Sequence, residues 1–340
     1  MSKQPNHILV IRLSAMGDVA MTVPVLTAFT EQYPDIKITV LTREFFKPFF
    51  RDLKNVNVFS ADVEGKHKGI FGLYKLSKEL KFLQIDAIAD LHNVLRTNIL
   101  KFLCFGIKCI QIDKGREEKK ALISGKNFSQ LKTTTQRYAD VFEELGFPVQ
   151  LSNPSFPERK ELNSKTLAIV HESRAYKWIG IAPFAAHEGK MYPLEMMEEV
   201  IEELSKDNKI ILFGGGESEI EELNTLESKF ENVTNVAGML TLDEELDLIS
   251  NLDLMVSMDS GNGHLAAMLG IKVVTLWGVT HPFAGFRPFN QPADYSLVSN
   301  RNIYPLIPTS IYGNKCPESY KDCMKSIYVS DVVKKIESIL

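Results

Sequence analysis

Four stretches of the chain place polar or charged side chains where a strand-like apolar run gives way to a helical pattern, the position from which α/β proteins present chemistry. The first is Arg12-Leu13-Ser14-Ala15-Met16-Gly17-Asp18. Asp18 falls in the first helical turn, where a carboxylate serves either as a general base or as a helix cap. A dinucleotide site would require G-x-G-x-x-G here, and only Gly17 is present, which argues against a nicotinamide or flavin oxidoreductase. The second, His187-Glu188-Gly189-Lys190-Met191-Tyr192-Pro193, offers Lys190 as a point charge for a phosphate or as a solvated loop lysine. The third, Phe213-Gly214-Gly215-Gly216-Glu217-Ser218-Glu219, allows close ligand approach to the backbone or simply a tight turn. Glu217 there suits ribose hydroxyls, and equally the positive end of a helix.

The densest stretch is Met258-Asp259-Ser260-Gly261-Asn262-Gly263-His264. Backbone N–H groups at this helix start could bind a diphosphate, and Asp259 could hold a sugar hydroxyl. Asp259, Ser260 and His264 also invite a Ser-His-Asp reading. No G-x-S-x-G elbow accompanies them, and three triad members within one turn cannot reach the required geometry. His264 reads better as a packed helix histidine.

Positioning these residues takes alternating strands and helices. In the first half, strands are expected at His7–Leu13, Lys37–Leu41, Val56–Phe59, Ala87–Asp90 and Lys108–Ile112. Helices are expected at Asp18–Tyr33, Gly72–Phe82, Val94–Phe105 and Thr134–Leu145. Pro148, Pro154 and Pro157 then mark a boundary, giving domains 1–160 and 161–340. The second half repeats the plan, with helices at 163–176, 194–205, 217–230, 242–251 and 261–269. Its strands fall at 178–183, 209–213, 233–236, 254–257 and 273–277. Ser330–Leu340 is a last helix, which is free to pack back on the first domain. The expected class is α/β, two doubly wound domains.

Composition excludes disorder, collagen and coiled coil, since 44% of residues are hydrophobic and 24% charged. The net charge of −4 hides an asymmetry: residues 1–160 sum to +7 and 161–340 to −11, which suggests an anionic partner for the basic half. No uncharged apolar run approaches the roughly 18–20 residues that span a bilayer. The start lacks a signal-peptide pattern, so a cytoplasmic protein is expected. Cys104, Cys109, Cys316 and Cys323 make no disulfide framework, and reduced thiols rather than a metal site are expected of them.

Taken together, ILVIRLSAMGDVAMTVPVLTAF (8–29), HEGKMYPLEMMEEVIEEL (187–204), DLISNLDLMVSMDSGNGHLAAMLGIKVVTLWGVTHP (247–282) and CMKSI (323–327) resemble glycosyltransferase family 9, the bacterial lipopolysaccharide heptosyltransferases. Order and spacing agree across nearly the whole chain. The resemblance implies a GT-B fold, two Rossmann-like domains facing across a cleft, with the nucleotide-sugar donor on the C-terminal domain and the acceptor on the N-terminal one. It makes Asp18 the base and Lys190 the donor-phosphate lysine, with Asp259 on the sugar and Ser260, Gly261 and His264 completing the donor site. Glu217 becomes the ribose acid, with Glu219 a competing alignment. Arg96, Arg116 and His92 fall near the acceptor. The implied reaction is inverting transfer of a sugar, most simply heptose from ADP-heptose, onto a lipopolysaccharide core or lipid A acceptor. No metal or other cofactor, and no nucleic acid, is implied.

Two departures stand out: Asn262-Gly263 replace the family's usual residues there, and His92 replaces a common glutamine. The basic half, with Lys47, Arg51, Lys54, Lys66, Lys68, Arg96 and Arg116, would meet the anionic acceptor and the inner face of the inner membrane. The rival readings are a nucleotide-sugar 2-epimerase and a non-catalytic glycan-binding protein on the same fold.

Overall fold

The computed structural model describes residues 4–171 and 176–340, and they cluster into two units. The first comprises residues up to Lys114 together with Thr134–Ser155. Its central strand β1 (His7–Ile11) is buried along its whole length, so both sheet faces must be covered by helices. β1 pairs in parallel with β2 (Lys37–Thr42) and with β4 (Ala87–Asp90), while β3 (Val56–Ser60) and β5 (Lys108–Gln111) form the edges. The order β3-β2-β1-β4-β5 is doubly wound, and its loops gather at the carboxyl ends of the strands.

The helix expected over 18–33 is two helices, α1 (Met16–Ala20) and α2 (Thr22–Gln32). Pro24 explains the break, because it has no N–H to give the carbonyl of Ala20 and its ring crowds that carbonyl. α3 (Gly69–Lys81) and α4 (Leu95–Leu103) cover one face of the sheet, driving Leu73, Leu76, Leu80 and Leu100 against Leu9, Ile11, Leu41 and Ile88.

The second unit takes residues 115–133 as well as Phe156 onward. A boundary near 160 would give 115–133 to the first domain, and the packing explains the difference. α5 (Arg116–Ile123), a short polar helix without a strong apolar stripe, buries Leu122 with Leu131 against Ala284 and Ile311. The Lys119 ammonium sits 4.3 Å from the Phe286 ring centre, and Leu131 N–H donates to the Phe283 carbonyl at 2.9 Å. The chain then returns to the first unit through α6 (Thr134–Leu145), which ends as expected at Gly146, in the left-handed region at φ +102°.

α7 (Ser164–Val170) starts on an Asn163 cap, whose side chain accepts from Thr166 N–H at 2.8 Å. The helix expected to reach 176 ends earlier; residues 172–175 of that expectation lie outside the described residues. The second sheet then builds from β6 (Lys177–Ala182), α8 (Leu194–Leu204), β7 (Asn208–Leu212), α9 (Glu217–Glu227) and β8 (Val233–Asn235). It continues with α10 (Leu242–Ile249), β9 (Leu254–Met258), α11 (Gly261–Met268), β10 (Lys272–Trp277) and a three-residue edge strand, β11 (Ser296–Val298), that sequence periodicity had not revealed. The order is β11-β10-β9-β6-β7-β8, all parallel. The last helix, α12 (Val329–Glu337), packs on α8: Val332 and Ile336 join Val200, Ile201 and Leu204 in one core.

With the units drawn by contact, the first holds 17 Lys+Arg against 14 Asp+Glu and the second 22 against 29. The asymmetry keeps its sign but shrinks, because 115–133 is itself basic. Among the described residues no helix is long and apolar enough to cross a membrane.

Candidate active site

In the first unit, Asp18 stands one turn into α1, just past the end of β1. Its Oδ2 forms an ion pair with Nη2 of Arg12, and Ala15 N–H approaches the same oxygen at 3.4 Å. Arg12 is buried, and its Nη1 donates to the Leu91 carbonyl at 2.7 Å. Tyr138 of α6 completes the setting: its hydroxyl donates to the Asp18 carbonyl at 3.2 Å, and its ring centre lies 5.9 Å from the guanidinium. Burial pushes the Tyr138 phenol above its ordinary range, so it stays neutral.

The loop after β4 is organised by Asp90, which is fully buried. Its carboxylate accepts from the backbone N–H of His92 at 3.0 Å and of Asn93 at 2.8 Å, and from the Thr97 hydroxyl at 2.9 Å. Lys101 closes the charge at 2.7 Å. These bonds fix where α4 begins and thereby where Arg96, in its first turn, projects. His92 is buried, its Nε2 3.5 Å from the Ser14 hydroxyl. Burial, with Arg12 and Lys114 nearby, holds its pKa down at about 4, so the ring is a neutral dipole rather than a cation.

In the second unit, Lys190 and Asp259 meet: Nζ lies 3.0 Å from Oδ2, with both side chains largely shielded from water. The Thr280 hydroxyl donates to the same Oδ2 at 2.9 Å. Lys190 comes from a short turn after β6, Asp259 from the end of β9 and Thr280 from beyond β10. Gly313 lies over the lysine so closely that an added Cβ would be 2.2 Å from its Cδ. α11 starts beside Asp259 with Ser260 as its cap, and the buried Ser260 hydroxyl has no hydrogen-bond partner among the described residues. His264 is buried in the same helix, while the Asp259 carboxylate is engaged by Lys190 and Thr280, which disposes of a Ser-His-Asp triad.

Gly263 has a packing reason. α11 approaches β9 so closely that a Cβ at 263 would be 2.5 Å from Ser257 Oγ. At the third stretch, Glu219 folds back so that its Oε2 accepts from Gly215 N–H at 2.8 Å, whereas Glu217 is exposed at the first position of α9.

The structure therefore brings together Lys190, Asp259, Ser260 and Gly261, and separately Asp18 and His92 through their shared neighbour Arg12. Arg116 opens α5 and belongs to the second unit, whereas Arg96 belongs to the first. Arg12 and Thr280 were missed in the sequence. A lone arginine closing an apolar strand was a usable signal, but nothing local marked Thr280. The four cysteines carry free thiols, and no cluster of His, Cys, Asp or Glu among the described residues could hold a metal.

The sequence profile of glycosyltransferase family 9 (heptosyltransferase) matches residues 73–306. The chain is 26% identical to the lipopolysaccharide core heptosyltransferase OpsX of Haemophilus influenzae, covering 99% of this chain and 98% of that one. Its fold is similar to the crystal structure of a family 9 glycosyltransferase from Veillonella parvula, with a TM-score of 0.76 at 20% identity over 98% and 97% of the two chains. It is also similar to Escherichia coli heptosyltransferase WaaC solved with ADP, with a TM-score of 0.66 at 19% identity over 98% and 100%. Both likenesses agree with two Rossmann-like domains of the GT-B plan. The profile spans β4 and β5 of the first sheet and all of the second, and includes Lys190, Asp259 and Thr280, and on that match the chain belongs to glycosyltransferase family 9, the heptosyltransferases.

Proposed function

We propose that this enzyme transfers heptose from ADP-heptose, with inversion, to a sugar hydroxyl of a lipopolysaccharide inner-core or lipid A acceptor. The observation that carries the reading is the shielded Lys190–Asp259 pair beside the start of α11. A nucleotide-sugar has complementary groups for each partner: a diphosphate for the ammonium and sugar hydroxyls for the carboxylate. On binding, the donor takes over both, and the amides of Ser260 and Gly261 add helix-start donors to the diphosphate. Glu217 suits the ribose, since Glu219 is occupied in holding the glycine loop.

Asp18 is the proposed base. Arg12 and Ala15 engage Oδ2, which fixes the carboxylate and leaves Oδ1 to take the acceptor proton. The acceptor oxygen attacks the anomeric carbon, the bond to the diphosphate breaks, and Lys190 with the helix amides stabilises the charge that develops on the leaving group. Arg96 and Arg116 serve phosphates of the acceptor, and neutral His92 offers a ring N–H or lone pair rather than a charge. In this reading the protein works in the cytoplasm, transiently attached to the inner membrane. The first unit is the acceptor domain and the second the donor domain.

The test is incubation with ADP-heptose and a purified, deacylated core acceptor, followed by mass spectrometry and assignment of the new anomeric configuration. A product one heptose heavier with inverted configuration is expected. Conversion of the donor without acceptor would favour an epimerase, and failure to bind ADP-heptose in calorimetry would favour a non-catalytic protein.

A further inference from the structure

The six most exposed large hydrophobic side chains among the described residues all belong to one pair of neighbouring helices in the first unit. They are Ile70, Phe71 and Phe82 on and just after α3, and Leu95, Phe102 and Phe105 on and just after α4. Phe71 and Phe105 are each 92% exposed, more than a side chain left incidentally at a surface usually is. The helices are not short of packing. α3 and α4 touch each other, and their opposite faces fill the core with Leu73, Leu76, Leu80 and Leu100. On α3, Phe71, Lys75, Lys78 and Phe82 recur every three or four residues and share the outer face. Lys78 lies 5.0 Å from the Tyr74 ring centre.

Charge follows the same helices. Segments 66–82 and 95–108 contain eight Lys and Arg and a single acid, Glu79, which is paired with Lys66 at 2.7 Å. The chain as a whole is at −4, so these segments stand at +7 against −11 for everything else.

We propose that this outer face of α3 and α4 docks on an anionic lipid bilayer, with the phenylalanines entering the acyl boundary and the lysines reaching the headgroups. The proposal rests on the reading that the acceptor is lipid-anchored, and it names the surface that meets the lipid. Aromatic residues interleaved with lysine along exposed helix faces have the chemistry of an interfacial amphipathic surface. A protein partner is a poorer match, because the centres of protein interfaces are depleted in lysine. A second copy is poorer still, since it would set +7 against +7. α4 begins in the loop that Asp90 organises around His92, so docking would hold that loop at the membrane surface, where a lipid-linked acceptor stands.

Sedimentation of the full chain with vesicles of phosphatidylethanolamine and phosphatidylglycerol, and with phosphatidylcholine vesicles, tests this. Wild type is expected to pellet with the anionic vesicles and to be released by high salt. Phe71→Ser with Phe102→Ser should lower the partition coefficient at least about tenfold. Lys75→Glu with Lys78→Glu should lower it by a further order of magnitude or so. Both pairs should keep the wild-type rate on a water-soluble deacylated acceptor. A tryptophan placed by Phe71→Trp should be quenched by brominated lipid, while the native Trp178 and Trp277, both buried, are not. Absence of vesicle binding by wild type, or undiminished binding by Phe71→Ser/Phe102→Ser, overturns the proposal. So does a change from dimer to monomer in that variant. Vesicle binding without transfer to the soluble acceptor would uphold the surface while refuting the proposed reaction.

Discussion

Asp18→Asn should cost the protein twice, and the two costs can be separated. As a base, Asp18 is assigned about 10²–10⁴ of the rate, equivalent to roughly 3–5 kcal/mol of transition-state stabilisation. As a partner, it neutralises Arg12, whose side chain is 8% exposed against 26% for Asp18. Stripping a buried charge of its partner typically costs about 3–5 kcal/mol. Partial access of water to Asp18 and the remaining Arg12–Leu91 hydrogen bond reduce that here to about 1–3 kcal/mol. The expected variant melts several degrees lower, binds ADP normally in calorimetry, and transfers sugar at least a hundredfold more slowly when assayed well below its melting temperature. Arg12→Met combined with Asp18→Asn removes the unpaired cation and should recover most of the stability without recovering the rate. Two results would refute the reasoning. One is near-wild-type transfer by Asp18→Asn. The other is a double variant that regains rate and stability together, which would make Asp18 a structural partner of Arg12 and nothing more.

Three further outcomes are expected. Glu217→Gln should raise KM for the donor with little change in melting temperature, whereas Glu219→Gln should loosen the glycine loop and speed amide exchange at Gly215; the reverse pattern would exchange their roles. His92 gives the fold an acid sensitivity: its folded pKa of about 4 lies below the ordinary 6.5, so the unfolded chain takes up the proton first and stability present above pH 6.5 is lost between 6.5 and 4. At pH 5 that loss is about 2 kcal/mol, and urea titrations at pH 7.5 and 5 should show it shrinking by that amount in His92→Gln. Gly263→Ala should destabilise by about 1–3 kcal/mol through the clash with Ser257 Oγ, and adding Ser257→Gly should relieve most of it in chemical denaturation.

Much of this fold was legible because its signals are local. A fully buried parallel strand must be a continuous apolar run, and each run here is closed by the loop that carries a site residue, so strand and site announce each other at Asp18, Lys190 and Asp259. What was not legible depends on contacts distant in sequence. α5 is too polar and short to stand out, and its place in the second unit is fixed by Phe283, Phe286 and Ile311, more than 150 residues away. His92 was found as a position, but its neutrality comes from burial and from Arg12, which the sequence places 80 residues earlier.

The two carboxylates at the heart of the proposal are each held by a cation, and the choice of cation fits their different tasks. Asp18 has an arginine, which stays charged at any accessible pH and is itself tied to a backbone carbonyl, so it can hold one carboxylate oxygen while the other takes part in proton transfer. Asp259 has a lysine, a compact point charge on a flexible stem that can leave one anion for another. Exchanging the two should therefore fail in opposite ways. Arg12→Lys would lose the fork that engages Asp18 and Leu91 together, lowering kcat while leaving donor affinity intact. Lys190→Arg would put a broader planar head under Gly313, where even a methyl group would clash with the lysine stem, and would raise KM for the donor before it touched proton transfer.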